Sequence, residues 1–171
     1  MKGLDLQDIC EAYLDIETTG LSPQQNEITV IGIYVTCKDR DEFIQFVGQD
    51  INGDVILESL QGVKRLYTYN GQRFDLRFIQ IRYGLNLEEQ FEHHDLMKRC
   101  QSRKLYGGLK AVERCLGIER RHKEINGLEA VRLWWQYINN YDQSALKLLL
   151  EYNKEDVVNL KVLKDKLLRQ L

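Results

Sequence analysis

The chain has 171 residues, of which 43% are hydrophobic and 29% are charged, which is typical of a folded globular domain and excludes a disordered or fibrous chain. No stretch approaches the roughly 18 uncharged apolar residues of a membrane span, and the acidic residues near the N-terminus exclude a signal peptide. We therefore expect a single domain over residues 1–171, in the cytoplasm and without membrane association.

The formal net charge is only −2, but the charges are unevenly distributed along the chain. The segment from Lys98 to Lys123 holds nine basic and two acidic side chains, so the remainder of the chain is acidic. This pattern is compatible with a polyanion bound beside an acidic, cation-binding centre, and also with a solvated surface that carries a local excess of charge. The nine basic residues are Lys98, Arg99, Arg103, Lys104, Lys110, Arg114, Arg120, Arg121 and Lys123.

The four cysteines show no Cys-x-x-Cys pair, which argues against a zinc site and against a redox motif. A domain of this size buries enough surface to fold without disulfides or a structural metal. We therefore expect Cys10, Cys37, Cys100 and Cys115 to be thiols in a reducing compartment.

The first part of the chain predicts an antiparallel meander. Apolar and β-branched runs predict strands over residues 12–17, 28–36 and 42–47, with a polar turn at 38–41 before the third strand. Asp54 is expected to cap a short helix that ends near Gly62, and a fourth strand is expected over residues 65–69.

The second part of the chain is predicted to be mostly helical. A helix is expected over residues 75–83, and residues 85–96 are expected to hold a further strand and its exit. Helices follow at 108–116, ended by Gly117, and at 127–138, and Asp142 or Ser144 caps a long final helical region. Three antiparallel strands, then strands that alternate with helices, predict an α/β fold with a mixed sheet flanked by helices.

The first predicted strand carries two acidic residues, Asp15 and Glu17. Residues two apart on a strand point to the same face, so the two carboxylates converge, while Leu14 and Ile16 point the other way. Two like charges this close are costly unless one is protonated or a cation lies between them. The triplet alone fits a cation site, and it also fits solvated acids on an edge strand.

Three strings of residues carry the candidate chemistry. Residues 15–21 read Asp-Ile-Glu-Thr-Thr-Gly-Leu, residues 69–75 read Tyr-Asn-Gly-Gln-Arg-Phe-Asp, and residues 152–156 read Tyr-Asn-Lys-Glu-Asp. With these motifs in this order, the chain resembles the DEDD superfamily of 3′–5′ exonucleases, which have an RNase H-like fold. The Asn-x4-Asp spacing of Asn70 and Asp75 is similar to that of the YprB-like and family-B polymerase exonuclease branch. Residues 109–118 resemble the helix that precedes the third motif in YprB-like proteins.

The resemblance implies hydrolysis of phosphodiester bonds with two divalent metal ions, Mg²⁺ or Mn²⁺, held by hard carboxylate ligands. By this resemblance Asp15 would bridge both ions. Glu17 and Asp156 would complete the site that activates the attacking water, and Asp75 would hold the second ion, through water.

Tyr152 matches the tyrosine (DEDDy) subclass, in which a phenol orients the attacking water. Tyr152 and Asp156 are four residues apart and lie on one face of the predicted helix. A phenol with a pKa near 10 is a poor base at pH 7, so positioning is the more credible role. Glu151 occupies the place of the histidine in the histidine subclass, which argues against that subclass. Without the resemblance, Tyr152 would be read as a half-buried aromatic on a packing helix.

The resemblance also implies a set of substrate contacts. The loop after the first two carboxylates would meet the 3′-terminal nucleotide, although the same residues also fit a plain turn at the end of a strand. Phe74 fits a contact to the first base and equally a place in the core. The candidate substrate-binding residues are Thr18, Thr19, Gly20, Leu21, Asn70 and Phe74.

Two other clusters are interpreted structurally. His93, His94 and Asp95 are consecutive and cannot all face one ion, so we expect Asp95 to end a strand. Trp134 and Trp135 are adjacent on an amphipathic helix, so we expect one to be buried and the other half-exposed.

Taken together, the sequence predicts a metal-dependent 3′–5′ exonuclease that acts on single-stranded DNA or RNA, with the Lys98–Lys123 segment along the path of the strand. The alternatives are an inactive module that binds nucleic acid, an endonuclease of the same fold, and a subunit of a larger nucleic-acid-processing complex. An exposed apolar patch near Trp134 or Trp135 would favour a protein partner.

Overall fold

The computed structural model describes residues 9–169. Residues 1–8, on which the expectation about a signal peptide rests, lie outside the described residues. The strands are β1 (Cys10–Thr18), β2 (Ile28–Cys37), β3 (Arg40–Val47), β4 (Val63–Thr68) and β5 (Glu92–Asp95). The helices are α1 (Gly53–Ser59), α2 (Asp75–Tyr83), α3 (Leu87–Gln90), α4 (Leu96–Ser102), α5 (Leu109–Cys115), α6 (Gly127–Asn140) and α7 (Gln143–Arg169).

The five strands form one mixed sheet in the order β3-β2-β1-β4-β5, with β1 at its centre. β1 pairs antiparallel with β2, placing Asp15 opposite Gly32, and β2 pairs antiparallel with β3. On its other side β1 runs parallel to β4, which runs parallel to β5. The predicted meander and the predicted α/β class are therefore confirmed.

Helices cover both faces of the sheet, and the alternation of side chains along β1 distributes its residues between two cores. Leu14 and Ile16 belong to one core with Phe78 of α2. Tyr13 points to the opposite face and belongs to the core that contains Leu160 of α7. Asp15 and Glu17 share the face of Tyr13, because side chains two apart on a strand point the same way.

The final helix, α7, passes under that face of β1. Asp142 caps it, because the Asp142 Oδ1 atom accepts hydrogen bonds from the Ser144 and Ala145 N–H groups at 2.9 and 3.1 Å. Of the two predicted caps, Asp142 is therefore the correct one. Neither α7 nor any other helix within residues 9–169 is long and apolar enough to cross a membrane.

One local prediction is wrong. Asn52, rather than Asp54, caps α1, since Asn52 Oδ1 accepts from the Asp54 and Val55 N–H groups at 3.0 and 3.1 Å. The helix begins two residues earlier than expected, and Asp54 lies in its first turn. The strand predicted within residues 85–96 is confirmed as β5, and the short helix α3 precedes it.

The expectation of four thiols is also wrong. Cys10 and Cys37 form a disulfide that links β1 and β2, with their Cα atoms 4.4 Å apart. The strand register places them next to the Glu11–Thr36 pair, within the Cα separation that a disulfide requires. Cys100 is a buried thiol and Cys115 an exposed one.

The packing of α7 on the sheet predicts a stability difference between two leucines of that helix. Leu160 has no exposed surface, whereas Leu168 is 44% exposed. We expect Leu160→Ala to lower the free energy of unfolding by about 2–5 kcal/mol, since it leaves a cavity. Leu168→Ala should change it by less than about 1 kcal/mol. Chemical denaturation measures both, and equal losses would contradict the packing described.

Candidate active site

Three acidic side chains converge beneath the centre of the sheet. Asp15 and Glu17 come from β1 and Asp156 comes from α7, and each offers a carboxylate oxygen within 4.8 Å of the other two. Among residues 9–169 no other group of three potential metal ligands comes together in this way. The predicted convergence of the β1 carboxylates is therefore observed, and α7 adds the third.

Asp75 occupies a different place from the other three acids. It is the first residue of α2 and is almost fully buried, with Oδ1 accepting a hydrogen bond of 3.1 Å from the Ile16 N–H group. Ile16 lies between Asp15 and Glu17, so Asp75 is fixed to the backbone of β1 behind the converging carboxylates. The structure thus places all four predicted acids around one strand segment.

Burial makes this concentration of negative charge costly. It raises the pKa of Asp15 and that of Glu17 well above the usual range, and the nearby Asp156 and Asp75 carboxylates raise both further. Burial likewise raises the pKa of Asp75 to about 7. A divalent cation would relieve the repulsion and hold these groups ionised. The donor set, made of carboxylate oxygens only, suits a hard ion such as Mg²⁺ or Mn²⁺.

Tyr152 lies one helical turn before Asp156 on α7 and lines the same cleft. Burial, with the neighbouring carboxylates of Asp156 and Glu17, raises the pKa of its phenol above the ordinary value. The hydroxyl group therefore keeps its proton throughout the neutral pH range. Tyr152 can hold a water molecule by donating or accepting a hydrogen bond, but it cannot act as a base there.

Asn153, which sequence reasoning missed, fixes the position of Asp15. It is fully buried, and its Nδ2 donates to the backbone oxygen and to Oδ2 of Asp15 at 3.2 and 3.1 Å. Gln45 of β3 in turn donates to Asn153 Oδ1 at 2.9 Å. Gly32 leaves the space that Asn153 fills, since a Cβ atom at that position would lie 2.3 Å from Asn153 Oδ1. The position of Asn153 inside the third motif is the one sequence signal that could have identified it.

Arg120 fixes the position of Asp156, as Asn153 does for Asp15. Its guanidinium donates two hydrogen bonds to Glu113, at 2.9 and 2.7 Å, and it forms an ion pair with Asp156. Asn159 donates to the same Glu113 carboxylate at 2.9 Å. The guanidinium lowers the pKa of Asp156, while burial, the larger influence, raises it.

The sequence allowed the segment Lys98–Lys123 to form one continuous basic surface. The structure shows that it does not. Arg120 is buried, Arg103 donates to the backbone oxygen of Leu167, and Lys98 donates to Gln72. Arg120 and Arg103 thus contact α7, whereas Lys98 makes its contact at the surface. Arg114, Arg121 and Lys123 are exposed.

A cleft of about 430 Å³ opens onto the carboxylates. Thr18, Thr19, Gly20 and Leu21 form one wall, as the first motif predicts, and Leu21 is 85% exposed. Phe74 both lines the cleft and packs against Phe78, with ring centroids 5.0 Å apart, and its contact to a base stays a prediction. Apolar side chains of α6 complete the lining. They are Leu128 and Val131.

Asn70 does not line this cleft. It lies two residues after β4 in the left-handed backbone conformation, with φ of 61°, and its N–H group donates to Asp95 Oδ1 at 2.8 Å. Asp95 also caps α4 through the Met97 N–H group. The structural interpretation of Asp95 as the end of a strand is therefore confirmed, and His93 and His94 lie on that strand.

The raised pKa of Asp75 predicts a pH-dependent stability for the metal-free protein. Between pH 4 and 7 the folded state holds a proton on Asp75 that the unfolded state has released, because the pKa is about 7 against 3.8. The free energy of unfolding therefore falls as the pH rises through this range.

The measurement is the melting temperature in EDTA from pH 5 to pH 8 for the wild type and for Asp75→Asn, which keeps an acceptor for Ile16. We expect the wild-type curve to fall relative to the variant, by roughly 2–4 °C for each kcal/mol. Added Mn²⁺ should restore the wild type most at pH 8. The lowered pKa of His93 makes the free energy of unfolding rise with pH. This contribution is present in both proteins, so it cancels when their melting curves are compared. Parallel curves would contradict the prediction.

Comparison with known proteins places this geometry in a family. A family model described as RNase H superfamily matches residues 12–168. An uncharacterized protein of Methanocaldococcus jannaschii is 26% identical over 162 residues, which are 87% of this chain and 90% of that protein. The uncharacterized protein YprB of Bacillus subtilis is 29% identical over 165 residues, which are 86% of this chain but only 39% of YprB.

The fold is also found among solved structures. NrnC of Brucella melitensis, in a structure bound to pGG, superposes with a TM-score of 0.64 at 21% identity, over 98% of this chain and 76% of NrnC. This similarity shows that the mixed sheet and its flanking helices have the RNase H-like arrangement. With a family model that spans all five strands and the final helix, the chain belongs to the RNase H superfamily.

Proposed function

We propose that this protein is a metal-dependent 3′–5′ exonuclease that hydrolyses the terminal phosphodiester bond of single-stranded nucleic acid. The observation that carries the proposal is the convergence of three carboxylate oxygens within 4.8 Å of one another in an open cleft, where Glu17 and Asp156 are buried and Asp15 is half-buried. A module that only bound nucleic acid would gain nothing from such a cluster, which repels phosphate unless cations are present.

The proposed metal ligands are Asp15, Glu17, Asp156 and Asp75. Two Mg²⁺ or Mn²⁺ ions bound there would supply an activated water and stabilise the negative charge that develops on the phosphate and on the leaving oxygen. Asp15 lies centrally and is proposed to contact both ions. Glu17 and Asp156 would serve one ion, and Asp75 would reach the other through water, because its own Oδ1 is engaged by Ile16.

The protein's other groups position the reactants. The protonated phenol of Tyr152 would hold the attacking water in line with the phosphorus atom, which is the role of the tyrosine in the DEDDy subclass. Asn153 and Arg120 keep Asp15 and Asp156 in place before any ion binds, which reduces the cost of ordering the site.

The walls of the cleft suit the last nucleotide of a strand. Leu21 and Phe74 on one side and Leu128 on the other present apolar surface to a base. Gly20 lets the backbone approach the sugar and phosphate closely. The complex of NrnC with pGG supports the proposal that the end of a nucleic acid strand binds in the cleft. Another NrnC structure holds Mg²⁺.

A second candidate function is that of a subunit in a larger complex. It is favoured by the outward face of α6, where Trp135 and Ile138 are 45% and 41% exposed and Leu128 is 82% exposed. Trp134, at 9%, is buried instead, as predicted for one of the pair. Light scattering of the purified protein, alone and with candidate partners, tests this function.

The first test of the proposed reaction is a gel assay on 5′-labelled single-stranded DNA and RNA of matched sequence. Each is incubated with Mg²⁺, Mn²⁺ or EDTA. We expect a descending ladder that requires a metal ion and that Asp15→Asn reduces more than about 100-fold, because it removes a central metal ligand. Asp39→Asn, in an exposed turn, is the matched control and should cleave normally. A pattern of internal cuts would support an endonuclease instead, and no cleavage with binding retained would support the inactive module.

A second test isolates Tyr152. Tyr152→Phe removes only the hydroxyl group, so we expect kcat to fall about 10- to 100-fold while the affinity for Mn²⁺ stays the same. The pH dependence of kcat should keep its shape, because the phenol does not titrate in the working range. Loss of a basic limb from the profile in this variant would show that Tyr152 acts as a base.

A further inference from the structure

Lys110 brings an ammonium group close to Tyr152, a residue that lines the acidic cleft. It is the second residue of α5, and its Nζ atom lies 5.0 Å from the centroid of the Tyr152 ring. Nζ is buried and has no hydrogen-bond partner among residues 9–169. A buried ammonium without an acceptor is unfavourable unless something else supplies one.

Arg120, the other cation beside the same ring, shows the contrast. Its Cζ atom lies 5.7 Å from the Tyr152 centroid, but its guanidinium is paired with Glu113 and Asp156. The protein has therefore already used Arg120 as a structural partner for one carboxylate. Arg120 keeps only its Nε atom without a hydrogen bond, whereas the whole ammonium group of Lys110 has none among the described residues.

Lys110 is close enough to the carboxylates to act on what binds there. Burial and the neighbouring charge of Arg120 lower the pKa of Lys110, while the Asp156 carboxylate acts in the opposite direction. The charge of Lys110 in turn lowers the pKa of Glu17, against the larger effect of burial. Lys110 nevertheless forms a salt bridge with neither carboxylate. An ammonium in this place repels metal ions, so Lys110 would weaken the binding of metal ions alone. An anion that binds together with the metal ions would offset this repulsion.

The chain is built to hold this lysine in place. Gly107, just before α5, has φ of 114°, a conformation that side-chain-bearing residues avoid, and a Cβ atom there would lie 2.9 Å from Ala111. The Tyr69 hydroxyl, next to the second motif, donates to the Gly107 backbone oxygen at 2.6 Å. The start of α5 is therefore tied to the end of β4, on the same side of the sheet as the cleft.

Resting on the proposed function, we propose that Lys110 is a catalytic residue whose ammonium contacts a non-bridging oxygen of the phosphate under attack. A phosphodiester oxygen is the anionic acceptor that the buried Nζ lacks, and lysine binds phosphate as a compact point charge. The attraction grows as negative charge accumulates on that phosphate during attack, so Lys110 stabilises the transition state more than the bound substrate.

Steady-state kinetics with saturating Mn²⁺ give the first part of the test. We expect Lys110→Met to lower kcat/KM about 100-fold and Lys110→Arg to retain part of the activity. Lys64→Met, an exposed lysine at the start of β4, is the matched control and should cleave like the wild type. Melting temperatures identify any variant that is inactive because it is unfolded, and the affinity for Mn²⁺ is measured by calorimetry for each. A fall in activity that follows entirely from weaker Mn²⁺ binding would overturn the proposal.

The second part asks whether the lysine acts on this particular phosphate. Binding of a 5′-fluorescent strand is measured by anisotropy with Ca²⁺, using either a normal terminal linkage or an uncharged methylphosphonate there. We expect the methylphosphonate to weaken binding by the wild type about 10-fold more than binding by Lys110→Met, since the variant has no charge left to lose. Equal weakening in both proteins would overturn the contact.

The failures are distinguishable. Absence of cleavage by the unmodified protein under every metal overturns the proposed function. Normal cleavage by Lys110→Met, with an active wild type, overturns only the role of Lys110.

Discussion

Repulsion among buried carboxylates is the constraint on which the rest of this structure depends. Asp15, Glu17 and Asp156 are held within a few ångströms of one another at the side of a cleft, and burial and mutual repulsion raise their pKa values. A fold under selection for stability alone would separate such groups or replace them. Their retention together in one place is therefore evidence of a cation, and the surrounding contacts show how the protein tolerates the arrangement.

The tolerance comes from two polar networks that meet on α7. Asn153, supported by Gln45, donates to Asp15, and Arg120, supported by Glu113, pairs with Asp156. Each network ends on a different carboxylate, so Asp15 and Asp156 are held by different partners. Such pre-organisation matters for a two-metal reaction, because small displacements of a ligand change the separation between the ions.

Much of the fold was predictable because periodicity and turn residues act locally. The strands around Asp15 and the helix at Asp75 follow from runs of apolar residues, and the convergence of Asp15 with Glu17 follows from the alternation along a strand. The supporting residues were not predictable in this way. Arg120 is one of nine basic residues in its segment, and only the path of the chain across α7 turns it inward. The Cys10–Cys37 bond depends on strand register in the same manner, and the Asn52 cap depends on where α1 begins.

Gly32 shows that a residue outside the motifs also depends on how the chain folds around the site. It lies on β2, outside the three motifs, in a run of apolar strand residues where alanine or valine would ordinarily fit. Any side chain there would displace Asn153 and with it the carboxylate of Asp15 directly across the strand pair. The residue type at this position of β2 is thus limited by the site that the neighbouring strand β1 carries. A comparison of related chains that counted only acidic motifs would overlook a position at which a single added methyl group would clash with the residue that holds Asp15.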